Sequence, residues 1–197
     1  MWAQPFHPRD RKDVSSLEQM IASLKAHASN GASARAAPPV ERWNPVFCGE
    51  AGFEILRDGT WLHDGTPITR APMVGLFASI LRKDGDGETY LITPVEKILV
   101  RVEDAPFLAV RADRHGVGRA QTLVFTTNVG DVVVAGPEHP IRVSFTGEEP
   151  RPYVLVRGRL EARILRAPFH EMIEWSENRD GKLGVWSGGA WFELGGI

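Results

Sequence analysis

Laid on itself with an offset of 96 residues, the chain repeats a segment. Ile68 falls on Ile164, Arg70 on Arg166, Ala71 on Ala167, Pro72 on Pro168, Asp84 on Asp180 and Gly85 on Gly181. These are six identities over the 18 positions 68–85, without a gap. Met73/Phe169, Leu76/Met172, Phe77/Ile173 and Lys83/Arg179 are conservative. Self-similarity at one fixed offset is the mark of a repeated supersecondary unit. Each copy reads strand, Arg-Ala-Pro, helix, Asp-Gly turn, strand. The alternative is coincidence between two common strand–helix–turn segments. Taken as a duplication, the repeat specifies an α+β protein. Two similar, mostly antiparallel β domains are expected, about 42–105 and 106–197, each with one short helix. Residues 1–41 would form an N-terminal helix and a linker.

Local signals support those elements. Proline is favoured in the first helical turn, where its missing N–H has no intrahelical partner to lose. Met73, Leu76, Phe77, Ile80 and Leu81 follow Pro72 at helical spacing, and Phe169, Met172 and Ile173 follow Pro168. The spacing predicts a helix of about ten residues in each place. Asp58-Gly59, Asp64-Gly65, Asp84-Gly85, Asp86-Gly87 and Asp180-Gly181 punctuate short apolar runs. Asp-Gly tolerates the positive φ of tight hairpin turns. Strands are expected over 53–57, 60–63, 89–92, 97–102, 121–127, 131–135, 141–145, 153–157, 159–165 and 183–187. Near the N-terminus, Ser15 and Glu18 form a capping box. Leu17, Met20, Ile21 and Leu24 then make one stripe of a helix over 16–28, packed on the body or used for a partner. Residues 29–40 read as a small-residue, Pro-ended linker.

Composition excludes several functions. The net charge of −2 comes from 23 basic and 25 acidic residues, which argues against a basic nucleic-acid surface. No apolar run approaches the roughly 20 residues that span a bilayer. Residues 1–13 hold no apolar core of a signal peptide, and Cys48 is the lone cysteine, so a cytoplasmic setting is expected. There is no phosphate-binding Gly-Lys-Ser/Thr loop. Gly116-Val117-Gly118 lacks the third glycine of a dinucleotide fingerprint, with Gln121 in its place. Around Ser187 the glycines are misplaced for a nucleophile elbow. His170-Glu171 is followed by Glu174 where a zinc-binding helix needs a second His. Asp84-x-Asp86-x-Glu88 lacks the glycine and the last acid of a calcium loop, so a hairpin turn is the better reading. The six histidines are scattered. No catalytic motif, cofactor or metal site is expected.

Polar residues gather instead at strand ends: Thr93 to Lys97, Glu103 to Asp104, and Thr126 to Asn128. Such clusters line pockets, and they also satisfy turn backbone. Arginine outnumbers lysine by 18 to 5. Arg157, Arg159 and Arg163 share one face of an expected strand with Glu161 between them. Guanidinium forks bind phosphate or carboxylate, so this stripe suits an anion; it also suits a solvated face paired with Glu161. Arg70 and Arg166, repeated before each helix, read as structural clamps on carbonyls or a carboxylate.

The motif series Arg42-Trp43-Asn44-Pro45, Asp58-Gly59-Thr60-Trp61, Gly65-Thr66-Pro67-Ile68-Thr69-Arg70, Leu76 to Leu81, Thr93-Pro94-Val95-Glu96-Lys97 and Val102 to Phe107 resembles an uncharacterised, mainly proteobacterial family of domains of unknown function. The likeness spans about 17–197 and is looser in the second half. It implies a duplicated core whose C-terminal half is superficially like pleckstrin-homology folds. It also implies a small, nucleotide-like ligand at the domain interface and a signalling role, with no established activity. Interfaces between domains are preferred ligand sites. On that basis we assign Trp43 and Trp61 to stacking, Lys97, Arg157 and Arg159 to phosphate, and Glu96, Asp104, Thr127 and Asn128 to polar edges. The leading expectation is a non-catalytic binder of a small anion. The alternatives are a hydrolase of a nucleotide-like ester with Glu96 or Asp104 as general base, and a protein-interaction module.

Overall fold

A computed structural model of the chain describes residues 38–196. The expected helix over 16–28 and most of the linker over 29–40 lie outside the described residues. The first domain is a six-stranded sheet made of two three-stranded meanders. The first meander is β1 (Phe47–Ile55), β2 (Trp61–His63) and β3 (Thr66–Pro67). Helix α1 (Ala71–Ser79) leads into the second, β4 (Leu81–Lys83), β5 (Thr89–Ile92) and β6 (Lys97–Val102). The order is β3-β2-β1-β6-β5-β4, antiparallel throughout except for the central β1/β6 pair, which runs parallel.

The second domain repeats this plan. Its strands are β7 (Phe107–His115), β8 (Thr122–Thr127), β9 (Val132–Val134), β10 (Ile141–Thr146), β11 (Glu149–Arg157) and β12 (Leu160–Ile164). Their order, β10-β11-β12-β7-β8-β9, again joins two meanders through one parallel pair, β7/β12. Helix α2 (Arg166–Glu174) then leads to a third, antiparallel sheet of β13 (Glu177–Arg179), β14 (Lys182–Ser187) and β15 (Ala190–Gly196). The protein is a duplicated α+β fold.

The repeat seen at offset 96 and the repeat of the sheets run in different registers. The sheets correspond as β1–β6 to β7–β12. The sequence offset instead overlays α1 on α2 and the β4–β5 hairpin on β13–β14. In the first domain the helix lies between the meanders and the hairpin begins the second of them; in the second domain both follow the six-stranded sheet, and the hairpin joins β15 in a separate sheet. Local sequence encodes helix and hairpin, while strand pairing at long range decides where they dock.

Two of the five Asp-Gly pairs take positive φ at both residues. Asp64 and Gly65 have φ of 48° and 73°, and Asp180 and Gly181 have 54° and 79°. Positive φ at both central residues is the tight hairpin geometry matched to strand twist. Both helices are nine residues long and start at the Arg-Ala-Pro corner. Five strands were not expected from pattern: β3, β4, β7, β13 and β15. In β7 a register shift between Ala109 and Arg111 breaks the alternation, and the exposed end carries Arg111, Asp113 and Arg114. In β15, Gly195 and Gly196 dilute the apolar signal.

Buried apolar side chains of both domains form one continuous cluster, from Phe53, Ile55, Trp61 and Phe77 to Phe107, Phe125, Val154 and Met172. The third sheet is tied down by a buried polar relay. The Leu123 N–H donates to Ser187 Oγ at 2.8 Å, and that hydroxyl donates to the Ala135 carbonyl at 2.7 Å. Ser187, fully buried, is thus a structural bridge. No helix among the described residues is long and apolar enough to cross a membrane.

Candidate ligand cleft between the domains

The turns that carry the expected site residues converge on the boundary between the two domains, but there they bond mainly to one another. Arg157, at the end of β11, donates to Asp131 Oδ2 and to the Ala78 carbonyl, both at 2.6 Å, and its guanidinium lies 4.9 Å from the Phe107 ring centre. It therefore ties the second domain to the C-terminal end of α1. Arg159 is exposed and reaches the Asp84 carbonyl at 3.4 Å. Lys97 donates to Asp84 Oδ2 at 2.6 Å and lies over the Tyr90 ring. The same Asp84 accepts from Arg82, and Arg82 also donates to the Val40 and Trp43 carbonyls. The Arg82 hydrogen bond, seconded by Lys97, holds the Asp84 carboxyl below its ordinary range against the opposing effect of burial.

Other assignments resolve into turn chemistry. Thr93 Oγ1 accepts the Glu96 N–H at 2.9 Å, which closes the β5–β6 turn. Thr127 Oγ1 accepts the Asp131 N–H at 3.0 Å, closing β8–β9. Asn128 Oδ1 accepts the Leu108 N–H at 3.0 Å. Trp43 is half-buried against the core. Trp61 is 1% exposed and stacks on Phe77, so it is an interior residue of the first domain and offers a ligand no face. Asp104, between β6 and β7, accepts the Tyr153 hydroxyl at 2.6 Å and lies 3.3 Å from Arg163 Nη1. Burial first, then that hydrogen bond, raise the Tyr153 phenol.

Two arginine expectations need correction. Arg157, Arg159 and Arg163 do not share one strand: Arg157 ends β11, Gly158 and Arg159 make the turn, and Arg163 stands on β12. Glu161 pairs with Arg142 across the sheet at 2.6 Å instead of with that stripe. Nor do Arg70 and Arg166 clamp carbonyls or carboxylates among the described residues. Arg166 Nε instead donates to His170 Nε2 at 3.3 Å on its own helix.

Where the stripe fails, a cleft of about 630 Å³ opens. It is lined by Arg57 of the first domain, Arg151 of β11, Arg163 of β12 and Arg166 of α2, with His170 and, as the one lining carboxylate among the described residues, Glu149. Pro150, Pro152, Ile164, Leu165, Phe169 and Ile173 supply the apolar wall. Among the described residues, Arg57, Arg151 and Arg166 have no ion-pair partner, while Arg163 shares Asp104. Only Arg163 of this group was singled out from sequence for anion chemistry. The missed signals were Pro150-Arg151-Pro152, an arginine fixed between two prolines, and the repeated Arg-Ala-Pro corner. No group of three or more metal-ligating side chains converges among the described residues.

A family model described as the N-terminal domain of a domain of unknown function, DUF1285, matches residues 38–105. A second, described as the C-terminal domain of a protein of unknown function, DUF1285, matches residues 106–194. The crystal structure of a DUF1285 family protein from Silicibacter pomeroyi is 47% identical to this chain, with 88% of this chain and 95% of that chain covered and a TM-score of 0.80. A DUF1285 family protein from Shewanella baltica is 31% identical, with 63% and 91% covered and a TM-score of 0.49. No curated protein matches the chain. By both domain matches and the Silicibacter likeness, the chain belongs to the DUF1285 family.

Proposed function

We propose that the protein is a non-catalytic binder of a small organic anion, held in the cleft between the domains. The observation that carries this reading is the concentration of arginine: among the described residues, four guanidinium groups line one cleft with Glu149 as its one lining carboxylate. Arg57, Arg151 and Arg166 have no ion-pair partner among the described residues; like charges held close repel one another, and a bound anion relieves that repulsion. Guanidinium forks match phosphate and carboxylate oxygens bidentately. The volume lies within the range of roughly 300–1,000 Å³ typical of small-molecule sites. Because Arg57 comes from one domain and the other arginines from the second, an anion contacting both would couple occupancy to domain docking. That coupling suits a sensing role in signal transduction. Hydrolysis by Asp104 gains no support, since its carboxylate is already engaged by Tyr153 and Arg163.

A thermal-melt panel of phosphorylated and carboxylated metabolites tests this. A ligand at 100 times its Kd raises stability by about 2.7 kcal/mol. Arg151→Ala and Arg166→Ala should each abolish most of the shift while leaving the unliganded melt nearly unchanged, since neither side chain has an ion-pair partner among the described residues. A panel with no shift at millimolar concentration rejects the reading.

A further inference from the structure

Within that reading, the structure assigns the ligand's chemistry: an amphipathic anion, one phosphate or carboxylate head on a plain apolar body, and not a nucleotide. The inference rests on the cleft being the site. Its cations are at Arg57, Arg151, Arg163 and Arg166, and the other lining side chains, apart from Glu149 and His170, are all apolar. Among the described residues that line it, none is Ser, Thr, Asn, Gln or Tyr. A nucleobase presents donors and acceptors along its edge. Buried against Pro150, Pro152, Leu165 and Ile173, those groups would lose water and find no side-chain amide or hydroxyl, and unsatisfied polar groups oppose binding. Phe169 offers one stacking face, but stacking satisfies no edge. The two tryptophans first assigned to stacking do not line the cleft, and Trp61 is sealed in the first domain's interior. An aliphatic or aryl body meets none of these penalties, and its burial on the Phe169 and Ile173 side of α2 is favourable by the hydrophobic effect. Its head then takes the arginines that lack carboxylate partners.

The experiment is calorimetric titration of the whole chain with three probes: octyl phosphate below its micellar concentration, AMP and inorganic phosphate. Octyl phosphate should bind about tenfold or more tighter than either of the others, because only it buries an apolar chain as well as a phosphate. Arg151→Ala should weaken all the probes. Ile173→Ala should weaken octyl phosphate alone; if that variant does not fold, the ranking of the probes with Arg151→Ala decides the matter. AMP binding as tightly as octyl phosphate, and lost in Arg151→Ala, overturns the ligand class while the cleft stands. Octyl phosphate binding untouched by both Arg151→Ala and Arg166→Ala lies elsewhere and overturns the inference. If none of the probes binds, this inference falls, and the thermal-melt panel alone decides whether the cleft reading falls with it.

Discussion

Arg157 shows how one side chain does work that sequence pattern assigned to a ligand. Its fork is filled on both prongs, by Asp131 of its own domain and by the Ala78 carbonyl at the end of α1. Backbone carbonyls at a helix C-terminus lack intrahelical partners and carry partial negative charge, so a guanidinium is well placed there. Arg157→Ala leaves that carbonyl and Asp131 without this donor, and the expected loss is about 2–3 kcal/mol. Arg157→Lys should recover less than half, because an ammonium cannot fork to both acceptors. Arg159, exposed and bonded only at 3.4 Å, should cost less than about 0.5 kcal/mol on replacement by alanine. Urea unfolding of the three variants reads the order directly; equal losses for Arg157→Ala and Arg159→Ala would remove the interdomain tie from the account.

At the scale of elements, the turns between strands decide how the domains meet. Gly59, in the β1–β2 turn, has φ of 83°, and a Cβ there would stand 2.8 Å from Asn128 Nδ2 and 3.0 Å from Leu108 Cδ1. Gly65, with φ of 73°, faces open space. Alanine at either position meets the left-handed backbone penalty of about 1–2 kcal/mol. Only Gly59→Ala also pushes the domains apart, so it should lower the melting temperature further than Gly65→Ala. The β4–β5 turn carries a pH dependence. Asp84 has a folded pKa below its ordinary 3.8, chiefly through Arg82. Its contribution to stability is therefore full above that value and is lost as pH falls through the folded pKa. Asp84→Asn should be less stable than the parent at neutral pH, and the gap should close as pH falls below about 4. A gap that stays constant down to pH 2 would mean the carboxylate's charge plays no part. These turns and both helices were legible in the sequence because Asp-Gly and Arg-Ala-Pro act locally. Strand β7 was not, because its bulge and its charges depend on long-range pairing with β12 and β8.

For the whole molecule, the duplication is less a pair of beads than one continuous core crossed by polar ties. Of the residues chosen from sequence, Arg157 and Asn128 do reach the first domain, one at the Ala78 carbonyl and the other beside Gly59. Sequence pattern misjudged which of the chosen residues stay open to a ligand, because spare charge depends on partners contributed by distant segments. In the sequence the nearest carboxylate to Arg163 is Glu161 of its own strand; in the structure Glu161 goes to Arg142, and Arg163 takes Asp104 from the β6–β7 connection. That pair also joins folding to binding. Asp104 is held by Tyr153 and shares Arg163, and Arg163 lines the cleft. An anion in the cleft and the Asp104 carboxylate therefore compete for one guanidinium. Asp104→Asn removes the competitor while keeping an oxygen for the Tyr153 hydroxyl. The fold should lose stability, because the buried side of the Arg163 charge is no longer balanced. Anion affinity should rise at the same time, by up to about fivefold, the equivalent of a partly exposed ion pair worth about 1 kcal/mol. Melting curves and titration with octyl phosphate on the same preparation check both signs. Affinity that falls along with stability would show that Asp104 supports the cleft instead of competing with its occupant.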